Sequence, residues 1–348
     1  MRNLNTLLVV VISFVLSGNT GAELQRDYLM IVGSTTVYPF STLVMDQYIK
    51  QSGAKAPLAQ ATGSGGGLML FCAGTGAMEP DIAYASRRIR KSEFDTCQRN
   101  GVKEIVEVKI GYDGIVLAQS GKATPLNLGL KDIYTALGKE IPDPGGADEM
   151  VPNPHKTWKD VNADLPDRVI EVLGPSRGSG TRTIFTNLAM EDGCEHYKRL
   201  MTLKHEDRLE FRTTCRTFRD DGAYIQAGED DNQILKNLET NLNALAILSF
   251  GVLERNSDRI QGISIDGVAP DFNTIADDSY PLERPLYLYV KKAHVGEVPG
   301  IREFLAEFTS EKAWGKDGYL SEHGLVPMRD AERRKYADAA KNLTPMSM

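Results

Sequence analysis

Two doubly wound α/β domains joined by a two-strand hinge are the architecture this sequence predicts. Three observations carry it. Apolar strand-like runs alternate with helix-like runs, the pattern of a parallel sheet covered on both faces. The 348 residues exceed the roughly 100–200 of one ordinary domain. Two long apolar stretches, Val106 to Ala118 and Tyr280 to Val290, lie far apart in the chain, and each is long enough to cross from one domain to the other.

The elements follow in order. Residues 1–22 read as a cleaved secretory signal: Arg2 supplies positive charge, Leu7 to Leu16 a short apolar run, and Thr20, Gly21 and Ala22 a small-residue cleavage site. That run is about half the ~20 residues of a spanning helix. No cysteine sits near the cleavage region, so no lipid anchor is expected. Residues 28–33 form a first strand ending at Gly33, with a helix from Phe40 to Gln51 and a second strand at 56–62. Gly63 to Gly67 reads as a flexible turn before a helix at Leu68 to Phe71. Asp81 to Ala85 is a third strand, followed by a helix from Lys91 to Asn100. Residues 139–157, with four prolines and an adjacent glycine pair, read as a mobile surface loop. Val169 to Leu173 is a strand, Ile184 to Met190 a helix, and Ile301–Phe308 and Ser310–Trp314 are closing helices. If the two long stretches are crossings, residues 119–282 form an inserted second domain. The first domain is then discontinuous, 23–118 plus 283–348.

Composition narrows the function. A net charge of −7 argues against a nucleic-acid partner, which would want a basic face. It leaves room for a small anion held by local N–H and hydroxyl groups. The four cysteines, Cys72, Cys97, Cys194 and Cys215, suit two disulfides in an oxidising compartment. Of the three possible pairings, Cys72–Cys97 and Cys194–Cys215 close short local loops and are the ones expected. The five histidines show no i, i+4 pair and no cysteine at metal spacing, so neither a metal nor a cofactor is expected.

The residues that carry chemistry sit where strands turn into helices. Gly174-Pro175-Ser176-Arg177-Gly178-Ser179-Gly180-Thr181 follows one strand and opens a helix, aiming backbone N–H groups and two hydroxyls at one point. Gly33-Ser34-Thr35-Thr36-Val37-Tyr38-Pro39 has a similar make-up far upstream, although Ser and Thr also serve there as ordinary helix caps. Two anion cradles on one secreted chain point to a clamp that closes on an oxyanion. The glycines at 63–67 lack the lysine of a P-loop and the spacing of a dinucleotide fingerprint. Arg87 and Arg88, at the carboxyl end of a strand, and Arg177 and Arg182, beside the Ser-Gly-Thr turn, are candidate cations. Asp220, Asp221, Glu229, Asp230 and Asp231 form an acidic patch, one of which could accept a ligand's proton. A rival pattern is present: Gly174 to Gly178 fits the Gly-x-Ser-x-Gly nucleophile elbow. A hydrolase on Ser176 or Ser179 would then need Asp266 with His294 or His323.

Taken together, Gly33 to Pro39, Gly63-Ser64-Gly65-Gly66, Asp81 to Arg87, Gly178-Ser179-Gly180-Thr181 and the ending Gly324-Leu325-Val326-Pro327 resemble the periplasmic phosphate-binding protein of the bacterial phosphate ABC transporter. The resemblance covers nearly the whole mature chain. It implies a periplasmic binding protein fold, a monomer in the periplasm with no catalytic residues, inorganic phosphate as ligand and a membrane permease as partner. A phosphate sensor using the same clamp without transport is the variant reading. Carried over by position, the ligand contacts are Ser34, Thr35, Thr36, Val37, Ser64, Ser86, Arg87, Ser179, Gly180 and Thr181. The chain departs from the family twice. Arg87 stands where members carry an aspartate after Ala-Ser, and Pro175 where they carry an arginine four residues before the serine of the Ser-Gly-Thr turn. The expectation is that Arg87 replaces the lost arginine, and that an acid near 220–231 or Asp113 substitutes for the lost aspartate.

Overall fold

Residues 26–348, other than Gly178 and Glu229, are described by a computed structural model; the signal-peptide assignment to residues 1–22 lies outside them. The strands β1 (Met30–Gly33), β2 (Leu58–Gln60), β3 (Ile82–Ala85), β4 (Ile105–Ser120), β5 (Val172–Gly174), β6 (Tyr224–Gln226), β7 (Leu245–Ser249), β8 (Ile260–Gly262) and β9 (Glu283–Lys291) form one nine-stranded mixed sheet. Its order is β2-β1-β3-β9-β4-β7-β5-β6, with β8 also on β4. β1 pairs parallel with β2 and β3, and β5 parallel with β6 and β7. All four residues of β3 are buried, as befits a parallel strand covered on both faces.

β4 and β9 run antiparallel through the middle of the molecule. One end of β4 pairs with β9, which in turn pairs with β3, and also bridges Val326 and Pro345; its other end, Ile115 to Gln119, pairs with β7. Every residue of β4 is buried except Lys109, which is intermediate. The register slips between Leu286 and Tyr287, beside Gly111. Gly111 has φ +147°, and a Cβ there would lie 2.8 Å from the Val326 carbonyl oxygen, so no side chain fits.

Helix α1 (Val37–Ser52) buries Val37, Phe40, Val44, Met45 and Tyr48, a stripe at helical spacing, and ends at Gly53 in the left-handed region. It begins three residues before the expected Phe40 because Pro39 falls in its first turn, where a missing N–H costs nothing. Helix α2 (Ser64–Phe71) corrects a second expectation: Ser64 to Gly67 is its first turn, not a flexible connector. Gly67 is glycine for packing, since a Cβ there would lie 2.3 Å from the Gly33 Cα. The second strand is shorter than 56–62, and β5 starts three residues later than Val169, which is exposed.

Residues 139–157 are more ordered than a loop. Glu140–Pro142 and Met150–Pro152 pair antiparallel around a tip whose backbone Gly145 and Ala147 N–H groups donate to Asp143. Buried Asn153 donates to the carbonyls of Thr135 and Gly138 and anchors the hairpin. Helix α3 (Lys91–Arg99) and the closing helices Ile301–Phe308 and Glu311–Trp314 lie where the sequence put them, Ser310 capping the last by accepting from the Ala313 N–H. Both disulfides are those expected. Cys72–Cys97 joins the end of α2 to α3, and Cys194–Cys215 joins the helical run after β5 to the helix Arg208–Cys215. All four half-cystines are buried.

Candidate functional site

The first cradle is assembled at the carboxyl ends of β1 and β3. Gly33 has φ +135°, and a Cβ there would lie 2.1 Å from the Tyr84 carbonyl oxygen, so the two strand ends touch backbone to backbone. Ser34 N–H donates to that oxygen (3.0 Å), and Gly63 N–H to the Gly33 carbonyl (2.8 Å). The loops at 33–36, 63–64 and 84–86 are therefore tied together, and the amino ends of α1 and α2 meet there. First-turn N–H groups lack partners within a helix, so two such ends make an anion-attracting corner. Ser34 Oγ accepts from Thr36 N–H (3.2 Å); both side chains are buried, while Thr35 is exposed. Ser64 Oγ accepts from Ser86 N–H (3.0 Å) and lies 3.1 Å from Ser86 Oγ. Ser34, Thr36, Val37, Ser64 and Ser86 thus share one corner.

Arg87 leaves that corner on its own account. Its guanidinium makes a two-pronged bond with Glu93 (2.9 and 2.7 Å). Burial works to raise the Glu93 carboxyl, but the bonds from Arg87 and from Arg90 N–H prevail and hold it below its ordinary value. The cation that reaches the cradle is Arg284 of β9, whose Nη2 donates to Thr36 Oγ1. Directly across the ladder sits Asp113 of β4. Arg284 Nε and Asp113 Oδ2 lie 3.7 Å apart, an ion pair without a hydrogen bond, and both atoms are buried without a hydrogen-bond partner. Burial raises the Asp113 carboxyl above its usual value, the nearby Arg284 charge only partly offsetting it; burial likewise lowers Arg284, with Asp113 opposing. Arg284 escaped sequence reasoning because a single arginine before Pro285 belongs to no motif. Its only signal was its place opposite Asp113 on a second long apolar stretch.

The second cradle lies at the carboxyl end of β5. Ser179 caps a helical run that starts at helix α4 (Gly180–Phe185) and continues through a π-helical stretch, Thr186–Glu191, to Cys194. Ser179 N–H donates to the Ser176 carbonyl (3.2 Å), folding the turn. Arg182 does not extend into solvent. It stacks on Phe218 and Tyr224 and donates to the Pro175 carbonyl (3.2 Å), while Tyr224 Oη donates to the same oxygen (2.8 Å). Arg182 therefore braces the loop that carries Ser179, Gly180 and Thr181. Beside it, Arg177, Arg182, Thr183, Thr186, Asn187 and Arg216 line a cavity of about 200 Å³. Larger cavities, of about 710 and 750 Å³, contain none of the cradle residues.

The other candidates are engaged elsewhere. Asp220 pairs with Lys139, and Asp221 with Arg219 and Lys156; the Arg219 hydrogen bond foremost holds Asp221 far below the usual carboxylate range. Asp230 caps the helix Asp231–Thr240, and Glu229 lies outside the described residues. His294 is buried, with Nδ1 on Asp81 Oδ1 (2.7 Å) and Nε2 on the Thr75 carbonyl (3.1 Å), so neither nitrogen is open to Ser176. His323 is bound through Nδ1 to the Tyr319 carbonyl. Among the described residues, no three His, Cys, Asp or Glu gather as metal ligands, and no helix is long and apolar enough to cross a membrane.

The chain is similar to known proteins along most of its length. The protein SphX of Synechocystis is 29% identical over 285 residues, spanning 80% of this chain and 72% of SphX. The phosphate-binding protein PstS of Staphylococcus aureus strain MRSA252 is 27% identical over 298 residues, 83% of this chain and 76% of PstS. Among solved structures, a possible phosphate binding protein from Planctomyces limnophilus shares the fold at TM-score 0.69 and 20% identity, covering 90% of this chain and 98% of that one. An ABC-type phosphate transport receptor from Vibrio cholerae does so at 0.54 and 20%, covering 86% and 99%. The model of the PBP superfamily domain matches residues 18–312, and the chain belongs to that family.

Proposed function

We propose that this protein is a periplasmic solute-binding protein that captures inorganic phosphate between two lobes and delivers it to the permease of an ABC transporter, without catalysis. The observation that supports it is the set of hydroxyl-bearing helix starts, 34–37 with Ser64 and 179–181, together with Arg284, whose largely buried side chain reaches Thr36. Relatives named as phosphate-binding PstS support the choice of ligand.

The lobes in this proposal are residues 23–118 plus 283–348, and residues 119–282, with β4 and β9 as the hinge. Ligand contacts are Ser34, Thr36, Val37, Ser64 and Ser86 from the first lobe and Ser179, Gly180 and Thr181 from the second. Arg284 supplies the cation, because Arg87 is committed to Glu93. Thr35, being exposed, is left out of this set. Closure follows from differential contact: only the closed form lets both cradles touch one ion. Hydrogen bonds to a charged group contribute about 1.5–3 kcal/mol each, and a handful of them, less the cost of dehydrating phosphate, reaches about −8 kcal/mol, micromolar affinity. The test is retention of labelled phosphate by the mature protein alongside an assay for turnover of chromogenic phosphate and acyl esters. Stoichiometric retention without turnover is expected; turnover lost on Ser176→Ala or Ser179→Ala would replace the binder with a hydrolase.

A further inference from the structure

We propose that the cavity on the flank of the second cradle, lined by Arg177, Arg182, Thr183, Thr186, Asn187 and Arg216, is a second anion site that takes a phosphoryl group, free or carried on a phosphomonoester. It is separate from both cradles and does not depend on the phosphate reading.

Charge is the first observation. The chain carries a net −7, yet among the described residues three arginines and no acid line this cavity. Arg216 Nε pairs with Glu191, and Arg182 Nη1 donates to the Pro175 carbonyl and the Tyr224 hydroxyl. One carboxylate therefore balances three guanidinium groups. Like charges gathered in a small space repel, and an anion among them replaces that repulsion with attraction. Planar guanidinium forks match the oxygens of a phosphoryl group. Placement is the second observation. Arg182, Thr183, Thr186 and Asn187 recur at i, i+1, i+4 and i+5, so one face of the helical run forms the wall. Ser179 to Thr181 open that run, which puts the cradle at its end and the cavity on its side. The π-helical stretch Thr186–Glu191 begins in the wall, and such widened turns recur at functional sites. Third, Asn187 Oδ1 is buried without a hydrogen-bond partner, so the wall holds hydrogen-bonding capacity that the protein leaves unused. Size sets the ligand class. A cavity of about 200 Å³ is smaller than the ~300–1,000 Å³ that drug-sized ligands occupy. It suits one phosphoryl group, and the exposed Arg177 and Thr183 leave an outlet for the organic part of an ester.

The experiment is calorimetric titration of the mature protein with phenyl phosphate and with inorganic phosphate, in about 0.15 M salt so that diffuse attraction is screened. Phenyl phosphate is expected to bind at one site of about millimolar affinity, and phosphate to compete for it; the ratio of the two affinities tells whether the ester or the free ion is the better occupant. Two variants locate the site and leave Arg182 in place to brace the cradle loop. Arg177→Ala combined with Arg216→Ala, and separately the isosteric Asn187→Asp, which sets a carboxylate in the wall, are each expected to weaken phenyl phosphate binding at least about tenfold, the scale of one charged hydrogen bond. Tight phosphate binding should be unchanged in both. Absence of any millimolar phenyl phosphate site, or a site that survives both variants, overturns the proposal and leaves phosphate capture standing. A millimolar site lost in the variants, with no tight phosphate site in the unaltered protein, supports this proposal and overturns phosphate capture.

Discussion

Single side chains decide the charge balance of this molecule. If Arg284 is the site's cation, Arg284→Gln should weaken phosphate binding by about 10–100-fold, the value of a lost charged hydrogen bond. Arg87→Ala should cost far less, because Glu93 already neutralises that guanidinium; titration of the two variants side by side checks the ranking. A second prediction concerns Lys291, fully buried with its Nζ unpartnered, 5.1 Å from the Phe71 ring centre. Burial foremost pushes its pKa down to about 8 from 10.5; Glu79 and Asp81 resist, and Arg26 adds to the effect. Between those values the unfolded chain binds the proton that the folded chain has released, so this group's contribution to stability rises with pH across that window. Lys291→Met should therefore stabilise the fold at neutral pH by about 1–2 kcal/mol. Its advantage should fade as pH rises from about 8 towards 10.5, as thermal melts over a pH series would show. The sequence showed the hydroxyls of the cradles because they sit in motifs of fixed spacing. Arg284 was hidden because its role depends on a cross-strand partner more than a hundred and fifty residues away.

Elements place those side chains. Helix α2 presents Ser64 because Gly67 lets it lie against Gly33, and a methyl group there would strike backbone. Gly67→Ala should destabilise the protein by about 1–3 kcal/mol, the usual range for overpacking, and should weaken phosphate binding by displacing Ser64. Denaturant melts and titration measure the two effects separately. The Cys72–Cys97 bond fastens the far end of the same helix to α3. Replacing both cysteines by serine should cost about 3 kcal/mol, as expected for closing a short loop. The strand-helix alternation of the first hundred residues was legible because apolar runs of four to six residues are bounded by glycine and polar turns. The helices Leu130–Leu137, Lys198–Glu206, Asp231–Thr240 and Asp330–Asn342 were not read. Three of these bury only a few side chains each, and their charged surfaces mask the apolar stripe. The hairpin within 139–157 was missed for a related reason: its strands are three residues long, too short to alternate visibly, and Asn153 holds them through backbone carbonyls.

At the scale of the whole molecule, the two halves of the sheet are joined, among the described residues, through β4 and β9, and both cradles lie at the carboxyl ends of their strands. The β4–β9 register slips beside Gly111, and in the proposed function closure bends the chain across these two strands. Small-angle scattering should record a smaller radius of gyration with phosphate than without it, and no change on adding sulfate. Capture of one phosphate ion between the lobes is tested most directly by calorimetric titration of the mature protein. One site per chain, with micromolar or tighter affinity and no turnover, is the expected result; no heat and no retained phosphate at millimolar concentration would contradict it.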